Sequence, residues 1–213
     1  MRKIHVLLIV AALAAPVFAQ TRLPEYKIAA GNWVLTADRL YQNNAAERLS
    51  KVSVRVPQKG KMVYEFNVRY EKGAEDGQGG FGVHLFADSA TDVRSWGAGK
   101  SYLLWLNYDE KPVSKEIPKG FSAQIYKSVS NSKMELVQSI DLNAYAYLIT
   151  PQVLASTIPV KLWVDGDTGE VRVYDPTKSD YYYFVKLGKD FSKSGDWIAL
   201  RTNGMKLSVG LPR

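Results

Sequence analysis

Hydrophobic and polar positions alternate with a period of two along most of the chain. In residues 62–70 the even positions are apolar or aromatic and most odd positions are polar, and residues 51–56 place three valines on one face. A period of two puts successive side chains on opposite faces of a β-strand. The pattern therefore predicts strands here and in eight further segments: residues 81–87, 101–108, 121–126, 134–139, 159–164, 170–174, 181–187 and 197–209.

Turn-forming residues separate most of these segments, and helical patterns are scarce. Clusters of Gly, Pro, Asn, Asp or Ser lie between the strands, and only residues 150–157 favour a short helix. About ten short strands without an internal linker, several of them apolar on both faces, predict two stacked antiparallel sheets. The expected fold class is all-β, a two-sheet antiparallel β-sandwich of the jelly-roll type.

The beginning of the chain has the organisation of a signal peptide. A basic start at residues 2–3 precedes an apolar stretch over residues 6–15, and small residues follow at the positions that signal peptidase accepts. The apolar stretch is too short for a transmembrane helix. We therefore expect residues 1–19 to be removed and residues 20–213 to form a single domain. That domain is expected to be periplasmic or extracellular, with no transmembrane segment in the mature chain.

Charge and cysteine content exclude several classes of protein. The chain has 28 Lys and Arg against 21 Asp and Glu, and its formal net charge of +7 falls to +5 without Arg2 and Lys3. Because acidic residues are interspersed among the basic ones, we expect an ordinary solvated surface and no nucleic-acid partner. The absence of cysteine excludes thiol nucleophiles, thiolate metal ligands and disulfides, so stability must come chiefly from the core.

The acidic segment DGDTGE at residues 165–170 has two interpretations. Asp165, Asp167 and Glu170 could offer oxygen ligands to calcium, but calcium takes six or more oxygens and no later acid closes the loop. The alternation on both sides instead favours a hairpin whose turn uses one of the two glycines for a positive φ. The sequence predicts the hairpin, with calcium as the weaker alternative and no other metal or cofactor.

Three segments resemble the concanavalin A-like lectin/glucanase superfamily, which includes laminin-G-like domains and domains related to family 16 glycoside hydrolases. IPVKLWVDGDTGEVRVYDP, at residues 158–176, is similar to a hairpin common in that superfamily. Residues 197–212 resemble its closing strand pair, and residues 31–43 resemble its opening segment. The resemblance covers both ends of the domain and one stretch between them, and it implies the concanavalin A-like jelly roll.

The catalytic motif of the superfamily is absent. Its enzymes carry a Glu-x-Asp-x-x-Glu run on one strand, and in the nearest match, residues 65–71, Asn67 replaces the middle acid and Tyr70 stands where the second Glu is needed. His84, the one histidine after residue 19, could act as a base with Ser89, but no nucleophile-elbow sequence accompanies it. We therefore expect a protein that is not an enzyme.

Glycine-rich segments at residues 73–82 and 96–100 interrupt the strands. Neither leads from a strand into a helix as a phosphate-binding loop does, so nucleotide binding is not expected. Loops at the rim of a sandwich often carry binding residues, and aromatic rings beside amide and carboxylate groups suit a sugar. The candidate ligand-binding residues are Trp96, Tyr102, Asn107, Tyr108, Asp109, Gln124, Tyr126 and His84.

Other aromatic residues have less specific interpretations. Trp33, Trp105, Trp163 and Trp197 are expected in the core. The run YYYF at residues 181–184 alternates in a strand, so one aromatic pair is expected to be accessible or to pack beneath a loop.

Together these observations favour an exported, non-catalytic, lectin-like module that binds a glycan or an envelope component. The first alternative is a structural protein that assembles with itself or with other proteins, similar in size and class to coat proteins of periplasmic flagellar filaments. The second, less favoured, is a glycoside hydrolase whose acids come from separate strands.

Overall fold

The described residues contain fourteen β-strands arranged in two seven-stranded antiparallel sheets. A computed structural model describes residues 24–36, 38–188 and 194–210, and the predicted signal peptide lies outside these ranges. The strands are β1 (Tyr26–Ala30), β2 (Trp33–Leu35), β3 (Arg39–Gln42), β4 (Ser50–Gln58), β5 (Lys61–Gly73), β6 (Gln78–Ala87), β7 (Ser101–Asp109), β8 (Gly120–Ser128), β9 (Met134–Asp141), β10 (Thr157–Asp165), β11 (Glu170–Tyr174), β12 (Tyr182–Lys186), β13 (Gly195–Asn203) and β14 (Met205–Gly210).

The two sheets confirm the predicted antiparallel jelly-roll sandwich. Sheet A has the strand order β1-β4-β13-β6-β7-β8-β9, and sheet B has the order β12-β11-β10-β5-β14-β3-β2. Every segment that the alternation predicts contains a strand. The alternation does not predict β1, β2 or β3, which are three to five residues long and whose sequences YKIAA, WVL and RLYQ do not alternate regularly over enough positions to show a period.

A short helical crossover connects β9 of sheet A to β10 of sheet B. It consists of a 3₁₀ helix, Asn143–Leu148, and the helix α1, Pro151–Ala155. The Oγ1 of Thr150 accepts a hydrogen bond from the backbone N of Val153 at 3.2 Å, which caps α1, and Pro151 suits its first turn. The predicted helical piece is thus present, and no helix in the described ranges is long and apolar enough to cross a membrane.

The core lies between the sheets and uses one face of each strand. In β7, Tyr102 and Leu104 face sheet B, so Leu103 and Trp105 face away from it. The largest buried side chains of this core include Tyr102, Leu85, Phe86, Leu207, Val164 and Val171. Burying each such side chain contributes about 1.5–3 kcal/mol, so this layer provides most of the stability of a chain without cysteine.

The last predicted segment, residues 197–209, forms two strands in different sheets. β13 pairs with β4 and β6 in sheet A, whereas β14 pairs with β3 and β5 in sheet B. Gly204 joins them at φ +61°, a conformation that favours glycine. Its backbone N donates to the carbonyl of Glu47 at 2.9 Å, and its own carbonyl accepts from Ala74 N at 2.9 Å. The closing strands therefore pass through the centres of both sheets.

Candidate functional site on the outer face of sheet A

Polar and aromatic side chains line up across the face of sheet A that points away from sheet B. Strand register places Lys51, Arg201, Gly82, Trp105 and Gln124 in one row. The row on one side of it contains His84 and Tyr126, and the row on the other side contains Asn107 and Ser122. We refer to Trp96, Trp105, Gln124, Tyr126 and Arg201 as the sheet A cluster.

Two glycines of β6 make room for the indole of Trp105. A Cβ added to Gly80 would lie 2.1 Å from Trp105 Cζ2, and one added to Gly82 would lie 2.7 Å from Cε3. The ring therefore lies flat against the backbone of β6, and its Nε1 donates to Asn107 Oδ1 at 3.1 Å. Trp105 is buried as expected, but against the outer face of sheet A and not in the core between the sheets.

The guanidinium of Arg201 lies close to two indole rings. Its Cζ is 5.2 Å from the ring centroid of Trp105 and 5.2 Å from that of Trp96, within the range of a cation–π contact. Nη1 donates to the backbone carbonyl of Trp96 at 2.9 Å and contacts Met134 Sδ at 3.4 Å. The side chain is only 7% exposed, and its Nε has no partner.

Lys51 lies beside Arg201 and holds the loop at residues 88–100 against sheet A. Its Nζ donates to Ser95 Oγ at 2.6 Å and also to the carbonyls of Ser95 and Gly97. Ala98 from the same loop packs against Trp197 in a small apolar cluster under the loop. The two cations therefore bind carbonyls of the loop that presents Trp96.

This face is electropositive. Across the described ranges, no carboxylate forms an ion pair with Arg201 or Lys51. Burial and then the nearby Arg201 lower the pKa of Lys51 to about 8, and burial lowers the pKa of Arg201 to about 10. Both groups nevertheless carry a positive charge near neutral pH.

His84 is fully buried on the same face. Its Nδ1 lies 2.9 Å from Ser101 Oγ, and its Nε2 has no partner. Burial first, and then the charges of Arg201 and Lys51, hold the pKa of His84 well below its ordinary value. The imidazole is therefore neutral.

Buried polar atoms without a partner concentrate on this face. Those that the structure shows among the described side chains are Ser53 Oγ, His84 Nε2, Ser139 Oγ and Arg201 Nε. Register places all four residues on the outer face of sheet A. Because native interiors pair nearly all buried polar atoms, these four sites are where buried water or a rearrangement on binding would supply a partner.

Gln124 and Tyr126 form a short hydrogen-bond chain beside Arg201. Tyr126 Oη donates to Gln124 Oε1 at 2.7 Å, and Gln124 Nε2 donates to Ser122 Oγ at 2.9 Å. Burial raises the pKa of Tyr126, while the charge of Arg201 opposes that shift. The phenol therefore stays protonated, and its orientation is fixed by Gln124.

The structure brings together five of the eight predicted ligand-binding residues. His84, Asn107, Gln124 and Tyr126 lie on the outer face of sheet A, and Trp96 overhangs it with 60% of its surface exposed.

Tyr102 and Tyr108 lie on the opposite face of β7, whereas Asp109 follows Asn107 on the outer face, at the end of the strand. Tyr102 belongs to the core and donates its hydroxyl to the carbonyl of Gly188 at 2.8 Å. Tyr108, on the same side of β7, donates to Glu110 Oε1 at 3.0 Å, and Asp109 Oδ1 accepts from the backbone N of Lys111 at 2.9 Å.

Sequence reasoning missed Arg201, Lys51 and the position of Trp105. A signal was present in β13, where Arg201 stands on the opposite face from Ile198 and Leu200 in an otherwise largely apolar strand. Another was the pair Gly80 and Gly82, since alternate glycines leave space for a large ring from the neighbouring strand.

The acidic segment at residues 165–170 forms the predicted hairpin between β10 and β11. Asp165 Oδ1 accepts from the backbone N of Asp167 at 2.8 Å and of Thr168 at 3.2 Å, and these bonds, that of Asp167 above all, lower its pKa. Gly169 has φ +74°. Glu170 is paired with Arg172. No group of three or more acidic or His side chains within the described part of the chain is arranged to hold a metal ion.

The acids of residues 65–71 are also paired. Glu65 lies 2.9 Å from Lys161 Nζ, and Glu71 lies 2.7 Å from Arg69 Nη2, all on strands of sheet B. These carboxylates form surface ion pairs on the outer face of sheet B, as the alternation of β5 implies.

The aromatic run at residues 181–184 is accessible on both faces of the edge strand β12. All four side chains are between 45% and 68% exposed. Tyr183 makes an edge contact with Tyr145 at 6.2 Å between ring centroids, and the Cζ of Arg172 lies 4.3 Å from the ring centroid of Trp163 and 5.0 Å from that of Tyr182.

The sandwich also contains an apolar cavity of about 390 Å³ between the sheets. Its lining includes Phe66, Phe81, Leu104, Ile140 and Leu154. Sugar sites need polar groups that fix the orientation of hydroxyls, and this lining is almost wholly apolar. The outer face of sheet A is therefore the better candidate for a glycan.

Comparisons with known proteins support the fold through structure and not through sequence. No protein-family model matches the chain, and no curated protein matches its sequence. Carbohydrate-binding module CBM66 from Bacillus subtilis is similar with a TM-score of 0.54 and 13% identity, over 89% of this chain and 94% of that one.

Two lectins give comparable matches. A legume lectin-like domain from Entamoeba histolytica has a TM-score of 0.51 and 10% identity, over 87% of this chain and 86% of that one. The lectin from Bauhinia forficata, solved in complex with GalNAc, has a TM-score of 0.50 and 10% identity, over 91% and 92% of the two chains. The protein thus has the lectin-like jelly-roll fold that these carbohydrate-binding and lectin domains share.

Proposed function

We propose that this protein is a non-catalytic, lectin-like module that binds a glycan through the outer face of sheet A. The observation that carries the proposal is the exposed indole of Trp96, which overhangs this polar face and contacts Arg201. The likeness of the fold to carbohydrate-binding and lectin domains supports it, as does the resemblance of three segments to the concanavalin A-like superfamily, to which we assign the chain.

The proposed contacts divide between stacking and hydrogen bonding. The exposed ring of Trp96 offers a face for a sugar ring. Asn107 and Tyr126 offer amide and hydroxyl groups nearby, Gln124 holds Tyr126 in place, and Arg201 offers a guanidinium beneath them. His84 acts beneath them as a neutral, buried support. Tyr102 takes no part because it faces sheet B.

A binding role fits this surface better than hydrolysis. Glycoside hydrolysis needs two carboxyl groups that flank the scissile bond, whereas the sheet A cluster contains one cation, one amide and three aromatic rings. Asp109, on the same face at the end of β7, accepts a hydrogen bond from the backbone N of Lys111. The acids of residues 65–71 are held in ion pairs on the other sheet. These features support a module without catalytic activity, exported as the first nineteen residues predict.

The test is a glycan array followed by titration calorimetry of the positive glycans. Trp96→Ala should weaken binding about tenfold or more, because it removes the stacking face. Tyr181→Ala is the matched control, since Tyr181 is 68% exposed and lies on the far edge of sheet B. A chain that binds no glycan, or one that Trp96→Ala leaves unchanged, would contradict the proposal.

A second candidate is assembly through sheet B. The observation in its favour is the edge strand β12, which exposes four consecutive aromatic side chains beside Arg172. Exposed edges and aromatic patches often mark protein contacts. Sedimentation velocity of the wild type and of a Tyr182→Glu variant tests it, and a purely monomeric wild type that recovers no envelope protein in a pull-down would exclude it.

A further inference from the structure

We infer that the glycan is acidic, and that a sugar carboxylate pairs with Arg201 while its ring stacks on Trp96. This inference rests on the proposed function and narrows it from glycans in general to uronate-containing ones. It follows from the charge, the free donors and the shape of the sheet A cluster.

The cluster has positive charge without compensation from the protein. Arg201 and Lys51 are both buried and are neighbours in register, yet neither has an acidic partner among the side chains described. A buried charge is costly unless it is paired. An anionic ligand would remove that cost, whereas a neutral sugar would leave the two like charges facing each other.

Arg172 on sheet B provides a comparison within the same chain, because it has the carboxylate partner that Arg201 lacks within the described ranges. Its guanidinium also lies near two aromatic rings, those of Trp163 and Tyr182, but it is paired with Glu170 at 2.7 Å. Arg201 has the same kind of aromatic surroundings and no carboxylate. A ligand carboxylate would give Arg201 the pairing that Glu170 gives Arg172, since Ala199 stands two residues before Arg201.

The free donors of Arg201 suit a planar carboxylate. Nη1 is occupied by the carbonyl of Trp96, while Nε has no partner. Nε lies beneath the surface and Arg201 is only 7% exposed, so a carboxylate reaches it when the side chains around Arg201 move aside as the ligand binds. The guanidinium would then receive both oxygens in the two-bond arrangement that such groups favour. Asn107 and Tyr126, which are partly exposed on the same face, can bond the neighbouring hydroxyls.

The experiment compares uronate oligosaccharides with their carboxyl-reduced, neutral counterparts, which keep the same backbone. Oligogalacturonate, oligoglucuronate and alginate oligomers form the panel, with a sulfated oligosaccharide as a tetrahedral anion. We expect at least one uronate to bind about tenfold or more tighter than its reduced partner, with affinity that falls as salt rises.

Variants identify the residue responsible. Arg201→Gln should abolish the preference for the acid form, and Arg201→Lys should keep only part of it, because lysine cannot form the two-bond contact. Arg172→Gln is the matched control and should leave the preference intact. Thermal melting checks the fold of each variant, and the wild-type comparison of acid with reduced sugar decides the matter even if Arg201→Gln does not fold.

The outcomes separate this inference from the function on which it rests. If the reduced sugars bind equally well or better, the inference of an acidic ligand is wrong, and the proposal of a module that binds neutral glycans remains. If only the sulfated oligosaccharide binds, the ligand is an anion but not a carboxylate, and the inference is wrong. If no glycan binds at all, both the inference and the proposed function are wrong.

Discussion

The substitution Gly80→Ala tests whether the glycines of β6 support the sheet A cluster. The added Cβ would lie 2.1 Å from Trp105 Cζ2 and 2.6 Å from Cε2, so the indole or the strand must move. Gly80 does not have the positive φ that makes alanine unfavourable. A loss of stability in Gly80→Ala can therefore be attributed to the clash with Trp105 and not to backbone strain.

The expected cost follows from three contributions. Overpacking a well-filled site costs about 1–3 kcal/mol, and a displaced indole also loses its cation–π contact with Arg201, worth about 0.5–2 kcal/mol. Alanine also lowers the entropy of the unfolded chain, which stabilises the folded state by about 0.4–1 kcal/mol. We expect a net fall of about 0.5–4.5 kcal/mol in the free energy of unfolding, together with weaker glycan binding.

Urea unfolding followed by tryptophan fluorescence measures the loss. Gly188→Ala is the control, because its Cβ would come no closer than 3.7 Å to Tyr102 Oη, and it should keep or raise stability, by up to about 1 kcal/mol. The double variant Gly80→Ala/Trp105→Phe should recover part of the stability, since phenylalanine lacks the clashing ring atoms. If Gly80→Ala proves as stable as Gly188→Ala and binds glycan equally, the packing argument is refuted.

Three further changes test other parts of the structure. The pKa of Lys51 is lower in the folded protein than in the unfolded chain, so the wild-type free energy of unfolding should rise by about 2 kcal/mol between pH 8 and 10. The variant Lys51→Met should lack this rise in pH-dependent urea titrations. Ala123→Leu, which fills the cavity between the sheets, should raise stability by about 1 kcal/mol in the same assay, and a loss would mean that the cavity cannot hold the side chain. Asp165→Ala should lower Tm by removing the acceptor of the Asp167 and Thr168 amides, whereas calcium should leave the wild-type Tm unchanged in calorimetry.

The strands were predictable because each buries one face, and burial leaves a period of two in the sequence. In the segment at residues 62–70, Tyr64, Phe66 and Val68 face the core between the sheets, whereas Glu65 faces solvent. The hairpin at residues 165–170 was predictable for a related reason, because its turn chemistry and flanking strands are local. The assignment of β13 and β14 to different sheets depends on partners more than 100 residues away, which no local pattern specifies.

The site was less predictable than the fold. Trp96 and Gln124 belong to aromatic and amide-rich segments that drew attention by composition, whereas Arg201 and Lys51 looked like two of many scattered cations. Only strand register brings Arg201 beside Trp105, and only the path of the loop at residues 88–100 brings Trp96 over both. Such a cluster is a property of tertiary structure.

The passage of the chain through Gly204 has a consequence for the order of folding. β13 lies between β4 and β6, and β14 lies between β5 and β3, so both sheets receive an interior strand from residues 195–210, which follow all the other strands in the chain. Until residues 195–210 have left the ribosome, β4 and β6 lack the strand that joins them, as do β3 and β5. Contacts of such long sequence separation also make folding slow. Neither sheet can therefore close before residues 195–210 are available, so the two sheets become complete in the same step.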